Sequence, residues 1–306
     1  MVRTAIGFGV GLLAVLCSWL FYSGAYALDE NGCLTCHGQP GMSKVTPDGR
    51  RVSLYVSEQL VNTAAHRYID CMACHTQPHN SPTPLTKQSL AEKCGTCHAY
   101  QYKLHLASIH GQQLARGNPD VATCVDCHSA ESNPHSVIRV LEYKAPTYKK
   151  NIAATCDKCH GREILMQSYG RVERVYESYM RNFHGKALEL SDPQIAQLST
   201  ATCTNCHGDH DIKSTKDPSS PVAGLDNLAK ICDQCHPGGG INFASSFIGH
   251  KEATAENIAP VYYTELGFKI FLWSVVALGV VILIGGIVAM STNRWRKKVW
   301  KSPPSD

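Results

Sequence analysis

The sequence lacks the signatures of most enzyme classes. Its 306 residues contain no glycine-rich nucleotide loop, no esterase elbow and no alternation of strands and helices suited to a doubly wound sheet. The run Gly238 to Gly240 reads as a loop rather than a phosphate cradle. Surplus charge is missing too. Of 29 basic and 25 acidic residues, Arg3, the basic residues Arg294, Arg296, Lys297, Lys298 and Lys301, and Asp306 stand at the two ends. The remainder holds 23 basic and 24 acidic residues, a charge near −1 that excludes a basic nucleic-acid surface. Long uncharged apolar runs are confined to residues 6–21 and 270–292.

What the chain has instead is cysteine. Fourteen of its 15 cysteines form seven pairs with two residues between, each followed at once by histidine. The seven are Cys33/Cys36/His37, Cys71/Cys74/His75, Cys94/Cys97/His98, Cys124/Cys127/His128, Cys156/Cys159/His160, Cys203/Cys206/His207 and Cys232/Cys235/His236. Zinc ribbons and redox dithiols also use paired cysteines, but neither requires a histidine directly after the second. Covalent haem attachment does: two thiols on one turn add across the two vinyl groups, and the next imidazole is held beneath the porphyrin as an iron ligand. The expected cofactors are seven c-type haems with their iron.

The ends set the compartment. Residues 1–27 carry one arginine, an apolar run and Ala25-Tyr26-Ala27 as a small-x-small cleavage site, so they read as a secretory signal, or as an anchor if left uncleaved. Cys17 lies within that run and reads as a plain hydrophobe. The uncharged stretch Ile270 to Thr292 is long enough to cross a bilayer, at about 1.5 Å per residue. A basic cluster follows it, and Trp273, Trp295 and Trp300 are placed as interfacial anchors. The expected organisation is a signal over 1–27, a periplasmic haem domain over 28–262, a transmembrane helix over 263–293 and a cytoplasmic basic tail over 294–306. Gly285 and Ala289 offer a small-xxx-small pair to a partner helix.

One motif per about 33 residues of that domain leaves too little polypeptide for an ordinary interior. The fold class expected is therefore a haem-packed multihaem cytochrome c, mainly α and loops with little sheet, plus one C-terminal transmembrane helix. Between the fifth and sixth motifs, Tyr169, Val172, Tyr176, Tyr179 and Phe183 recur at three and four, which predicts a helix of several turns with His184 near its end. Ser191-Asp192-Pro193 predicts the cap of a second, short helix through about Ser199.

Eight histidines lie outside the motifs: His66, His79, His105, His110, His135, His184, His210 and His250. Seven irons with two imidazoles each need seven of them, and His105, five residues before the better-placed His110, reads as the spare. His110 and His184 share a His-Gly context, and His79, His135 and His210 each follow a motif closely. The four residues from His75 to His79 span at most about 14 Å, too little to pass around a porphyrin edge. His79 must then serve a neighbouring haem, and His210, three residues after His207, likewise. Met42, six residues after Cys36, is an alternative ligand at one iron.

The seven motifs, the His-Gly histidines, CHGDHDI at Cys206 to Ile212 and ICDQCHPGGGINFASSFIGH at Ile231 to His250 make the chain resemble membrane-anchored periplasmic multihaem c-type cytochromes of anaerobic respiratory chains. The resemblance implies an electron-transfer protein at the inner membrane, working between a b-type cytochrome or other quinol-linked membrane subunit and periplasmic cytochromes or reductases. It also implies two rivals, a quinol dehydrogenase subunit and a nitrite- or hydroxylamine-type reductase with one open haem. The known quinol dehydrogenase cytochromes with four or five haems carry their anchor at the N-terminus, and here the clear helix is C-terminal.

Overall fold

The computed structural model describes residues 29, 31–79, 86–171, 174–192, 194, 200–247, 249–251, 253–256 and 258–299. The expected signal, the short helix after Asp192 and the last residues of the tail lie outside them. The chain divides into two compact units, one ending at Phe247 and one comprising residues 248–306.

Short helices and loops make up the first unit, as a chain wrapped around prosthetic groups requires. They are α1 Cys33–His37, α2 Glu58–Thr63, α3 Cys71–Cys74, α4 Lys87–Gly95, α5 Ala99–Ala107, α6 Ile109–Ala115, α7 Cys124–His128, α8 Ile152–His160, α9 Glu163–Ser168, α10 Val175–Arg181, α11 Phe183–Leu190, α12 Cys203–His207, α13 Gly224–Asp233 and α14 Gly240–Ser245. Among the described residues the sheet is one hairpin, β1 Ser43–Val45 paired antiparallel with β2 Arg51–Ser53 in the register Ser43↔Ser53. Its turn closes through Gly49 at a φ of 84°, a conformation that favours glycine.

The motif helices are of two kinds, and capping explains the difference. At the first, second, fourth and sixth motifs a helix of one turn opens on the first cysteine. Each is capped by a short polar side chain: Asp29 accepts from the amide of Cys33 at 2.6 Å, Asp70 from that of Met72 at 2.7 Å, and Thr123 with Asp126 and Thr202 with Asn205 form capping boxes. At the third, fifth and seventh motifs the cysteines fall at the end of the longer helices α4, α8 and α13.

This difference exposes an internal repeat. Three residues before the first cysteine, each of the longer helices buries an alanine: Ala91, Ala153 and Ala229. Ala91 packs with Leu114 and Val121, against Tyr102 and Cys124; Ala153 packs with Tyr179 and Leu188, against Tyr176, Met180 and Cys203. The two clusters correspond in part, since Leu114 and Leu188 each stand four residues after a His-Gly histidine and Tyr102 and Tyr176 each stand eight before it, while Val121 belongs to the first alone and Tyr179 to the second. Among the described residues, protein packing alone makes clusters of only this small size, in keeping with the expected class.

The segment expected as one helix of several turns is three. Gly170 at a φ of 69° ends α9, and Asn182 stops α10 and caps α11, accepting from the Gly185 amide at 3.0 Å. Tyr179 is buried, but Phe183 is 94% exposed, so the three-four spacing does not describe one protein-facing stripe.

In the second unit, α15 runs from Ala259 to Val299, longer than the expected 263–293. Among the described residues it is the one helix long and apolar enough to cross a membrane by length and composition, over Ala259–Trp295.

Candidate haem-binding site

Among the described residues of the first unit, six pairs of imidazoles face one another, and each joins a motif histidine to a histidine outside the motifs. They are His37 with His79, His75 with His135, His98 with His66, His128 with His210, His160 with His110, and His236 with His184. Ring centroids lie 5.9 to 6.5 Å apart. Two imidazole nitrogens each about 2 Å from a shared metal place the ring centres about 6 Å apart, so the spacing fits one iron between each pair.

His79 is thus brought to His37 and not to the neighbouring His75, and His210 to His128 and not to the adjacent His207. His207 ends α12, and His250 lies in the second unit ahead of α15. His105 enters none of the six pairs.

The pairs fall into two sets that follow the repeat. His79, His135 and His210 reach back to motifs whose cysteines open a helix, and their planes lie 9°, 12° and 15° from those of their partners. His66, His110 and His184 reach forward to the motifs that end α4, α8 and α13, with planes tilted by 32°, 59° and 44°.

Local chemistry leaves these rings ready to bind metal. His37 turns Nδ1 to the carbonyl of Leu54 at 2.8 Å, which fixes the ring and directs Nε2 outward. Burial, reinforced by the facing imidazole, holds His66, His135 and His184 below their ordinary value, and pushes His110 down to about 4. A neutral imidazole is the form that coordinates.

The cysteines run in file. Cys33 shares a hydrogen bond with Cys71, Cys74 lies near Cys94 and Cys97, Cys94 shares a hydrogen bond with Cys124, Cys127 lies near Cys159, Cys156 shares a hydrogen bond with Cys203, and Cys206 lies near Cys232 and Cys235. Each motif therefore lies near the next in chain order. Burial pushes the thiols of Cys71, Cys127 and Cys206 up to about 11. Asp29, Cys33 and Cys71 bring potential ligand atoms within 4.8 Å of one another, but Asp29 already caps α1 and both cysteines belong to motifs.

Reading the sequence alone missed the repeat. Its signals were present: alanine three before the first cysteine at 91, 153 and 229, and threonine just before Cys124 and Cys203.

Residues 21–99, about a quarter of the chain, match the family described as cytochrome c7 and related cytochrome c. No curated protein and no solved structure matches the chain. With the paired imidazoles and the mainly helical architecture, the match makes this a multihaem c-type cytochrome fold.

Proposed function

We propose that the chain is an electron-transfer protein carrying seven covalently bound haems, held by the fourteen motif cysteines and ligated by His37, His75, His98, His128, His160, His207 and His236 on one side. The second ligands are His66, His79, His110, His135, His184, His210 and His250, with His105 left out. The single observation that carries this reading is the set of six imidazole pairs spaced for one metal each. Bound haem supplies one-electron redox chemistry at an iron without a vacant position, at the low potentials that two imidazoles favour over a methionine ligand.

The chain itself supplies order and spacing. His79, placed four residues after His75, faces His37, so the backbone around the second motif also fixes the first. Cysteines of successive motifs in contact favour haems set edge to edge in chain order.

The reading extends to an inner-membrane protein with its haem domain on the periplasmic side, anchored by α15, with the basic residues after Asn293 retained in the cytoplasm. Its partners are a b-type cytochrome or other quinol-linked membrane subunit and periplasmic cytochromes or reductases.

The test is spectroscopic. The oxidised protein should show low-spin iron alone, and the reduced protein should not bind carbon monoxide. A large high-spin, CO-reactive fraction in intact protein would favour a reductase with an open haem. Rapid haem reduction by a reduced menaquinone analogue, with the chain alone in detergent, would make it a quinol dehydrogenase subunit instead.

A further inference from the structure

His110 and His184 occupy the same local device. Each is the second residue of a helix that follows the preceding one without a loop, because a single residue ends one helix and caps the next: Ser108 between α5 and α6, Asn182 between α10 and α11. Ser108 Oγ accepts from the Gly111 amide at 3.0 Å and donates to the carbonyl of His105 at 2.6 Å. Asn182 Oδ1 accepts from the Gly185 amide at 3.0 Å. The glycine after each histidine is required by closeness: a Cβ on Gly111 would land on the carbonyl oxygen of His105, and one on Gly185 on that of Tyr179.

The two preceding residues correspond. His105 and Tyr179 each stand five before the histidine and six before the glycine. The helix that carries the ligand is thereby clamped at its first turn by a cap and by a backbone contact, and side-chain direction in a helix follows the backbone. These two clamped histidines give the largest tilts in the molecule among the described pairs, 59° for His110 with His160 and 44° for His184 with His236.

We propose that Ser108 with Gly111, and Asn182 with Gly185, are positioning residues that hold the imidazoles of His110 and His184 tilted away from parallel with their partners, giving the fifth and seventh haem irons an electronic character different from that of the first, second and fourth. The inference rests on the bis-imidazole reading above. Its physical basis is orbital overlap. The π orbital of an axial imidazole interacts with one of the two iron d orbitals of matching symmetry. Parallel planes act on the same orbital and split the two; crossed planes act on both and leave them close in energy. In ferric low-spin iron the first case gives a rhombic EPR spectrum with three resolved g-values, the second a strongly anisotropic one dominated by a single low-field feature.

The experiment is EPR on the full oxidised holoprotein and its variants. The unaltered protein should show both classes. Ser108→Ala, which removes the cap without touching a ligand, should convert one large-anisotropy signal into a rhombic one with total low-spin content unchanged, while Ser108→Thr, which can still cap, leaves the spectrum as it was. Asn182→Ala and Asn182→Ser repeat the comparison at the seventh site. A single class of signal in the unaltered protein, or an unchanged spectrum in both alanine variants, overturns the inference and leaves the bis-imidazole reading standing. A new high-spin signal in the alanine variants overturns it as well, because the cap would then retain the ligand rather than set its plane. High-spin iron in the unaltered protein sinks the underlying reading instead.

Discussion

His79 faces His37 across 6.5 Å with their planes 9° apart, although His79 is only four residues from the second motif histidine, His75, which faces His135. The consequence for mutation is a displacement of effect. Replacing His79 with alanine should leave the second site low-spin and make the first high-spin and open to carbon monoxide. In the haem-loaded protein, EPR and CO-difference spectra should report about one altered iron. Adding His135→Ala should open the second.

His105 gives the opposite expectation. It stands where the repeat elsewhere has Tyr179, on α5 against the helix of a ligand histidine. Its Nε2 is buried without a hydrogen-bond partner. An aromatic of similar shape fits that role, so His105→Phe should keep every iron low-spin and change stability by less than about 1.5 kcal/mol, as size-conserving core changes do. Appearance of high-spin iron in this variant would make His105 a ligand.

Gly185 is the position where added volume has nowhere to go. Gly185→Ala drives a Cβ into the carbonyl of Tyr179, a residue of one of the two small cores. Overpacking of this kind costs about 1–3 kcal/mol. Thermal unfolding of the haem-loaded protein should shift down accordingly, whereas alanine at Gly41, where a Cβ meets nothing within 4 Å, should cost only the strain of its positive φ.

The capping box at the fourth motif predicts an acid response. Burial works to raise the carboxyl of Asp126, but hydrogen bonds from Thr123 and Ser132 and the nearby Lys87 ammonium outweigh it and hold it below the usual carboxylate range. A group with a depressed folded value contributes stability above its ordinary pKa and loses it as pH falls through the folded one. Asp126→Asn should therefore lower the unfolding midpoint near neutrality and reduce the difference from the unaltered protein below pH 3.8.

The fold class was legible because attachment chemistry is written in contiguous residues: cysteine, two spacers, cysteine, histidine. Chain reach alone moved His79 and His210 off the haems of their neighbours. Which ring each one meets was not legible, since His128 with His210 and His75 with His135 depend on how short helices pack. The break at Asn182 was also hidden, because the three-four spacing of Tyr176, Tyr179 and Phe183 looks like one helix, while the cap that ends it is a property of a single polar side chain. The repeat went unread because its insertions differ in length, which conceals the shared alanine, threonine and His-Gly positions.

Phe183, Ile164 and Leu190 are 94%, 86% and 84% exposed, while among the described residues the clusters of side chains buried by protein alone hold only three residues each. On the proposed reading, such a polypeptide would not collapse first and acquire its pigment afterwards: its greasy surfaces would find cover as each macrocycle is stitched on, which would make assembly and prosthetic loading one event.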